Sequence, residues 1–248
     1  MQIIEGQKGG SKKPHNPYEQ PDNLLSTAKL KALIALSEGE IEGGLTAQNI
    51  FIDNTPLANP DDSYNFKGVH WEFRNGSQTQ DYIQGMPEVS NELRAGYKVK
   101  ANKPWVRSFS NLELDAIRIK LNLPVHVQYQ DNGDSLGTMT HYAIDLSVDG
   151  SAFETVVNGA FIGKTMSEYQ RDHRINLPNA IQGWTIRVRR ITPDSTSGKL
   201  VNDFGVFSYA EVIDSKLRYP NTALLYVELD ASQFNGAVPK ITCKLKGS

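Results

Sequence analysis

The stretch Thr140–Val157 reads "THYAIDLSVDGSAFETVV", and it decides the fold class. Apolar and polar residues alternate on both sides of Asp149-Gly150, a dipeptide that suits the tight turn between two antiparallel strands. The same alternation recurs in "LELDAIRIKLNL" before this stretch and in "GWTIRVRR" after it. About five strands at short spacing between Trp105 and Ile191 predict a small β-sandwich.

Strand patterns continue on both sides of the predicted sandwich. Short alternating runs predict strands near residues 50–52, 70–74, 207–213 and 224–229. Tyr219-Pro220-Asn221 precedes the last of them and predicts a sharp corner, because proline fixes one backbone angle and asparagine suits turns. Strands and helices do not alternate as they do in βαβ proteins, so the fold class is expected to be mainly β.

The N-terminal quarter carries two further expectations. Residues 1–23 are rich in Gly, Lys, Pro and Asn, which predicts a flexible arm with order beginning near Leu24. One short helix is expected at Thr27–Ser37, since Leu30, Leu33 and Ile34 lie close to helical spacing. Gly39 follows just past its expected end.

The amino-acid composition limits the classes of function that this chain can have. The chain has 248 residues, of which 39% are hydrophobic and 22% charged, as in soluble globular proteins. Its net charge is -2, which argues against nucleic-acid or anionic-membrane binding. Cys243 is the only cysteine, so neither an internal disulfide nor a cysteine-based metal site is expected, and folding in the cytoplasm fits best. Neither a signal peptide nor a membrane span is expected from the apolar runs.

Three short motifs invite a chemical interpretation. Asn158–Thr165, "NGAFIGKT", resembles a phosphate-binding loop, but its first glycine is one position out of register. Asp131–Asp134, "DNGD", has two carboxylates for calcium, yet Tyr142 stands where a Ca²⁺ loop needs its last glutamate. Glu38, Glu40 and Glu42 could supply a glycosidase acid and base, but three glycines flank them in place of an apolar wall. Solvated turns are favoured for all three.

The remaining polar clusters give no positive evidence for catalysis. The five histidines show no metal-ligand spacing, and no serine-elbow motif is present; the histidines are His15, His70, His126, His141 and His173. Two dense basic clusters, Arg171–Arg174 and Arg187–Arg190, are expected to form a polar outer face or a protein interface. We therefore expect no enzyme activity, no catalytic residue, no cofactor and no metal.

Four blocks of the sequence resemble the host-specificity protein J family of lambda-like tailed bacteriophages, also called tip attachment or central tail fibre proteins. They are "NLLSTAKLKALIALSEGEIEGG", "KTMSEYQRDHRINLP", "RVRRITPDSTSGKL" and "SYAEVIDSKLRYPNTALL", and they occur in order between about Asp22 and the C-terminus. Members of the family are much longer, and their receptor-binding part lies far beyond this region. The resemblance therefore implies an N-terminal piece, to which receptor recognition is not transferred.

The resemblance implies a structural role in the virion tail tip, with synthesis and assembly in the host cytoplasm. Family members form a trimeric hub that closes the tail tube and joins it to the central fibre. The implied partners are further copies of the chain, the tube end, the tape measure and other tip proteins. The implied layout is a barrel-like discontinuous hub region at 24–103 plus 200–248, with the sandwich inserted at 104–198.

One alternative function stays open from the residues. Tail tips often carry carbohydrate-binding or cell-wall-degrading modules, and a β-sandwich suits glycan binding. Such a module needs exposed aromatic platforms, for which Trp71, Trp105 and Trp184 are the candidates. Trp71 and Trp184 lie in alternating strand patterns that favour burial in the core.

Overall fold

A computed structural model describes residues 15–26, 28–86, 88–235 and 237–245. Strands account for 52% of the structure and helical residues for 3%, so the mainly β prediction is confirmed. No helix within the described residues is long and apolar enough to cross a membrane. The strands are β1 Lys29–Glu38, β2 Ile50–Ile52, β3 Thr55–Pro56, β4 His70–Arg74, β5 Glu88–Val99, β6 Trp105–Phe109, β7 Ala116–Leu123, β8 Val127–Tyr129, β9 Ser135–Leu136, β10 Thr138–Val148, β11 Glu154–Gly163, β12 Tyr169–Asn176, β13 Trp184–Arg190, β14 Leu200–Val201, β15 Phe204–Asp214, β16 Thr222–Asp230 and β17 Ile241–Cys243. Short 3-10 turns occupy Ala47–Asn49 and Ala231–Phe234.

The predicted sandwich is present. Its two four-stranded antiparallel sheets have the strand orders β11-β10-β13-β6 and β12-β7-β15-β5. The predicted hairpin joins β10 to β11, and Asp149 and Gly150 have φ values of 51° and 76°. Two positive φ values are what a two-residue hairpin turn requires, and aspartate and glycine tolerate them better than other residues.

One hydrophobic core fills the space between the two sheets. The inward residues of β7 are Ile117, Ile119 and Leu121, and all three are fully buried. The rings of Tyr142 and Phe161 lie 4.6 Å apart between centroids in the same core. Each fully buried side chain of this size contributes roughly 1.5–3 kcal/mol, so the alternation read from the sequence is the main source of the sandwich's stability.

A second unit is built from the chain on either side of the sandwich. Its sheets have the orders β1-β16-β4 and β17-β2-β3, so the segments before and after the sandwich pair with each other. Ile50, Ile52, Leu57, Leu225 and Val227 form a separate buried core between them. The sandwich is therefore an insertion between β4 and β16.

The sandwich is larger than the sequence predicts. β5 and β15 lie outside the predicted range 104–198, yet both belong to the sheet that contains β7. Both strands therefore belong to the sandwich and not to the hub region, because β15 pairs with β7 on one side and with β5 on the other. These pairings join segments that are distant in sequence, and local alternation does not reveal them.

The helix expected at Thr27–Ser37 is wrong, because this segment contains strand β1. Leu30, Ala32, Ile34 and Leu36 also alternate, so the same residues satisfy a strand pattern. β1 pairs with β16 from Lys29 to Glu38, with a bulge after Ala35. The backbone hydrogen bonds between β1 and β16 outweigh the weak helical preference of the β1 sequence. The barrel-like form is also not seen in the described residues, since the sheet β1-β16-β4 is open at both edges.

Part of the predicted arm lies within the described residues. Residues 1–14 of the predicted arm lie outside the described residues. Residues 15–26, which we name the strap, are extended and packed along the loops of the sandwich. The side chain of Leu24, at the end of the strap, is buried in the sandwich core.

Candidate functional site

Backbone hydrogen bonds hold the strap to two loops of the sandwich. The amide of Gln20 donates to the carbonyl oxygen of Ser135 at 2.9 Å. The amides of Asn23 and Leu24 both donate to the carbonyl oxygen of Lys164 at 3.0 Å, and the Lys164 amide donates back to Asn23 Oδ1 at 2.8 Å. The strap thus adds its backbone to the end of the sandwich.

Lys164 is the side chain that anchors the strap. Its Nζ lies 2.9 Å from Glu19 Oε1 and 3.0 Å from Asp22 Oδ1, and the side chain is only 2% exposed. Asp22 also accepts the amide of Met166 at 2.8 Å. That amide and the ammonium group lower the pKa of Asp22. The lysine of the Gly-Lys-Thr motif is therefore bound by two carboxylates of the strap, and the motif forms an internal clamp.

Gly163 and His126 shape the surface that the strap covers. A Cβ on Gly163 would lie 2.4 Å from Asn23 Oδ1, so the close approach of the strap requires glycine here. The imidazole of His126 is buried, with Nδ1 2.8 Å from the Gly163 carbonyl oxygen and Nε2 2.9 Å from Thr140 Oγ1. Burial lowers the pKa of His126, so a neutral ring that bridges two loops fits this position.

A second polar cluster, which we name the junction, lies within the sandwich, next to the segment that follows β4. Arg174 on β12 forms two hydrogen bonds with the Asp214 carboxylate, at 2.9 and 2.8 Å, and Asp214 is buried. The amide of Asp214 donates to Asp115 Oδ2 at 2.9 Å. A Cβ on Gly85 would lie 3.4 Å from Arg174 Nη1, so the segment after β4 packs against the guanidinium group.

Charges of the second unit lie near the junction. Lys29 forms an ion pair with Glu228, and Tyr226 donates its hydroxyl to Glu228 at 3.0 Å. Burial raises the pKa of Tyr226, and the Glu228 carboxylate raises it further. The tyrosine is therefore a permanent donor near neutral pH. Each cluster is held by charge-assisted bonds within its own unit, Arg174 to Asp214 in the sandwich and Lys29 to Glu228 in the second unit.

The basic cluster Arg187–Arg190 is largely neutralised. Asp145 on β10 is 1% exposed and accepts hydrogen bonds from Arg187 Nε at 2.8 Å, Arg189 Nε at 2.5 Å and Thr155 Oγ1 at 2.7 Å. Burial alone would raise the pKa of Asp145, but these bonds outweigh it and lower the pKa to about 2. The Arg187 guanidinium also lies 4.0 Å from the centre of the Phe153 ring.

The other predicted site residues do not converge. Asp131 pairs with Lys199, and Asp134 accepts from the imidazole of His15 and the amide of Tyr18, at 2.8 and 2.7 Å. Glu38, Glu40 and Glu42 are all exposed, without the apolar wall that raises a catalytic carboxyl pKa. Among the described residues, no three His, Cys, Asp or Glu side chains gather as a metal site.

The remaining histidines and the tryptophans have structural surroundings. His173 contacts the Tyr142 hydroxyl at 2.8 Å, and burial lowers the pKa of His173 to about 4. Trp105 and Trp184 are buried in the sandwich core, so neither offers a stacking platform for a sugar. Trp71 is half-buried on β4 and donates its indole N–H to the Tyr64 hydroxyl at 3.3 Å.

A cleft of about 480 Å³ lies beside β5 and β15. Its polar walls are already bonded: Asn122 Nδ2 donates to Glu168 Oε1 at 2.8 Å, and Arg94 lies over the Phe207 ring at 5.0 Å. Two positive and two negative side chains line it, so no charge sign is favoured; they are Arg94, Lys98, Glu168 and Asp203.

Comparison with known proteins decides the family. Residues 89–215 match the family model described as "Tip attachment protein J, FNIII-A domain", and this range coincides with β5 to β15. The chain belongs to the tip attachment protein J family. The resemblance read from the sequence is thereby confirmed, and the family places the chain in the virion tail.

Two relatives extend the match beyond the sandwich. The tip attachment protein J of Escherichia phage SECphi27 is 43% identical over 244 residues, and that of Escherichia phage SECphi4 is 46% identical over 249 residues. Each alignment covers 98% of this chain but only 20% and 22% of the respective relative. The chain thus spans about a fifth of the length of these tip attachment proteins. The alignment with a solved structure entitled "CBM4 structure and function" covers 70% of this chain and 94% of that protein at 8% identity. Its TM-score of 0.20 is too low to support any inference about this chain.

The sequence did not reveal the strap clamp, the junction or the Asp145 cluster. Each one joins residues that are far apart in the chain, and each depends on strand register. The one local signal was the spacing of Arg187 and Arg189 on one face of a strand, which calls for a counter-charge on the neighbouring strand. Asp145 could have been proposed on that ground if the order of the strands had been known.

Proposed function

We propose that this chain is a non-enzymatic structural part of the phage tail tip. It would form the N-terminal hub portion that closes the tail tube and links it to the central fibre. The observation that carries the proposal is the family match, which extends at more than 40% identity over nearly the whole chain. The internally paired charges of the strap and the junction support a role in holding geometry.

We assign the two units different tasks within this role. The second unit, with β1 to β4, β16 and β17, would be the hub region, and the sandwich would decorate it. The implied partners are two further copies in a homotrimer, the tube end, the tape measure and other tip proteins. The discontinuous build supports this assignment, since the chain leaves and re-enters one small core.

Immunogold electron microscopy of intact virions tests the proposal. Antibodies raised against this chain are expected to label the distal end of the tail. Label on the capsid, or tails that carry no label although the protein is present in the particles, would contradict it.

A second assay addresses the alternative of a carbohydrate-binding or cell-wall-degrading module. The purified chain is titrated with peptidoglycan fragments and lipopolysaccharide sugars, and turnover of peptidoglycan is followed. We expect neither saturable binding nor hydrolysis, because two of the three tryptophans are buried. Saturable binding would favour the alternative.

A further inference from the structure

The outer face of the sheet β11-β10-β13-β6 carries two arginines that share one carboxylate. Thr155, Asp145, Arg187 and Val106 lie directly opposite one another across the four strands, with their side chains on this face. Arg189 follows two residues after Arg187, on the same side of β13. We name these five residues the arginine face. The residues between them on β13 are buried in the core, so the two arginines are turned towards solvent.

The shared carboxylate leaves one positive charge of the arginine face uncompensated. Asp145 Oδ2 accepts hydrogen bonds from Arg187 Nε at 2.8 Å and from Arg189 Nε at 2.5 Å. Asp145 Oδ1 accepts from Thr155 Oγ1 at 2.7 Å and from Arg189 Nη2 at 2.9 Å. A carboxylate accepts about four such bonds, so Asp145 is saturated. Within the described residues, Asp145 is the one carboxylate that pairs with either arginine, and two cations therefore face one anion.

Both guanidinium groups keep hydrogen-bond donors that the protein does not use. In the part of the chain that the structure describes, Arg187 donates only through Nε, and Arg189 donates through Nε and Nη2. Both Nη groups of Arg187 and Nη1 of Arg189 therefore remain available on side chains that are about one-third exposed. The Phe153 ring, 4.0 Å from the Arg187 guanidinium, and the bonds to Asp145 hold the donors in place. A partner would thus bind at a small cost in side-chain entropy.

We propose that the arginine face binds an extended acidic segment of a partner protein. The carboxylates of the segment accept hydrogen bonds from the free Nη groups and neutralise the excess positive charge. Arg187 and Arg189 are two residues apart on one strand, about 7 Å, which is also the spacing of alternate side chains in an extended segment. Val106 lies opposite Arg187 and is exposed, so it offers a contact for an apolar residue of the same segment. Arginine next to apolar side chains is typical of protein interfaces.

A protein segment fits the arginine face better than a nucleic acid does. The chain has a net charge of -2, so a long polyanion gains no general attraction from the protein surface. The aromatic ring beside the arginines, Phe153, already stacks on Arg187 and has one face less for a base. The inference goes beyond the proposed function, because it rests on the charges and hydrogen bonds of the sandwich alone.

Substitutions of Val106 test the inference and leave the bonds of Asp145 in place. Val106→Glu puts a carboxylate directly opposite Arg187, where it occupies the free donors and competes with the partner. Val238→Glu is the matched control, because it makes the same change at an exposed position before β17 in the second unit. The probe is a fluorescein-labelled peptide that alternates valine and glutamate, and its binding to the purified chain is followed by fluorescence polarisation. A peptide with lysine in place of glutamate serves as the control ligand.

We expect Val106→Glu to weaken binding of the acidic peptide about tenfold or more, the effect of losing one charge-assisted hydrogen bond. Val238→Glu should leave the affinity unchanged, and the lysine peptide should not bind. Val106→Lys adds a cation at the same position and should tighten binding, so the test does not depend on one variant alone.

Three results would overturn the inference. The first is the absence of saturable binding of the acidic peptide to the wild type, or equal affinities of Val106→Glu and Val238→Glu. The second is tighter binding of a single-stranded oligonucleotide than of the acidic peptide. The third is self-association of the wild type that Val106→Glu abolishes, since the arginine face would then bind a second copy. Immunogold label at the tail tip tests the proposed function separately, so the two failures are distinguishable.

Discussion

Replacement of Asp145 by asparagine tests the energetics of the sandwich most sharply. The Asp145 carboxylate is 1% exposed and lies between the guanidinium groups of Arg187 and Arg189. Burial disfavours its charge, but the hydrogen bonds from Arg189, Thr155 and Arg187 lower its pKa from 3.8 to about 2. Asparagine keeps the shape of the side chain and removes the charge that holds the two arginines together.

The expected cost follows from the pKa and the exposure of the partners. A shift from 3.8 to about 2 corresponds to about 2 kcal/mol of stability at neutral pH. Arg187 and Arg189 are 29% and 34% exposed, so water offsets part of the charge left unpaired. We therefore expect a loss of about 2–3 kcal/mol, below the range for fully buried pairs. This corresponds to a Tm lowered by about 5–10 °C.

The assay is denaturant and thermal unfolding at pH 7, followed by tryptophan fluorescence. Asp131→Asn is the matched control, because its ion pair with Lys199 is at the surface and should contribute little to stability. A double-mutant cycle of Asp145→Asn with Arg189→Gln should show coupling above about 1 kcal/mol. A destabilisation by Asp145→Asn no larger than that of the control, or additivity of the two substitutions, would refute the stabilising role of the Asp145 carboxylate.

The same carboxylate predicts a pH dependence with a definite sign. Its pKa in the folded protein lies below its value in the unfolded chain, so its stabilising contribution is complete above about pH 4. The contribution is lost as the pH falls from about 4 to about 2. The unfolding free energies of the wild type and Asp145→Asn should converge over this interval. A constant difference between them would contradict the assignment.

Two further predictions concern the close contacts of the fold. Gly183→Ala should cost more than about 2 kcal/mol, because its φ is 125° and the new Cβ would lie 2.1 Å from the Phe109 carbonyl oxygen; Gly198→Ala, which has open surroundings, should be nearly neutral by denaturant unfolding. Lys164→Met should release the strap, so that limited proteolysis within residues 15–26, detected by mass spectrometry, becomes faster than in Lys199→Met. Equal cleavage rates would show that Lys164 does not anchor the strap.

Local patterns predicted the parts of the fold that depend on local interactions. The β10–β11 hairpin was predictable because its turn and its alternation lie within one short stretch. β1 was mistaken for a helix because its partner β16 lies nearly at the other end of the chain. Long-range pairing also explains why β5 and β15 were left out of the predicted sandwich.

The candidate site was less predictable than the fold. The lysine of "GKT" could be rejected as a phosphate ligand from spacing, but its carboxylate partners in the strap had no local signature. Arg174 and Asp214 meet only because β12 and the end of β15 flank β7. Side-chain partners follow strand register, and the register is set by the whole sheet.

The most direct test of the tail-tip role is cryo-electron microscopy of intact virions at the distal end of the tail. The tail-tip role predicts density there that accommodates the sandwich and the second unit in three copies around the tail axis. A well-resolved tail tip without density for the two units would contradict this role.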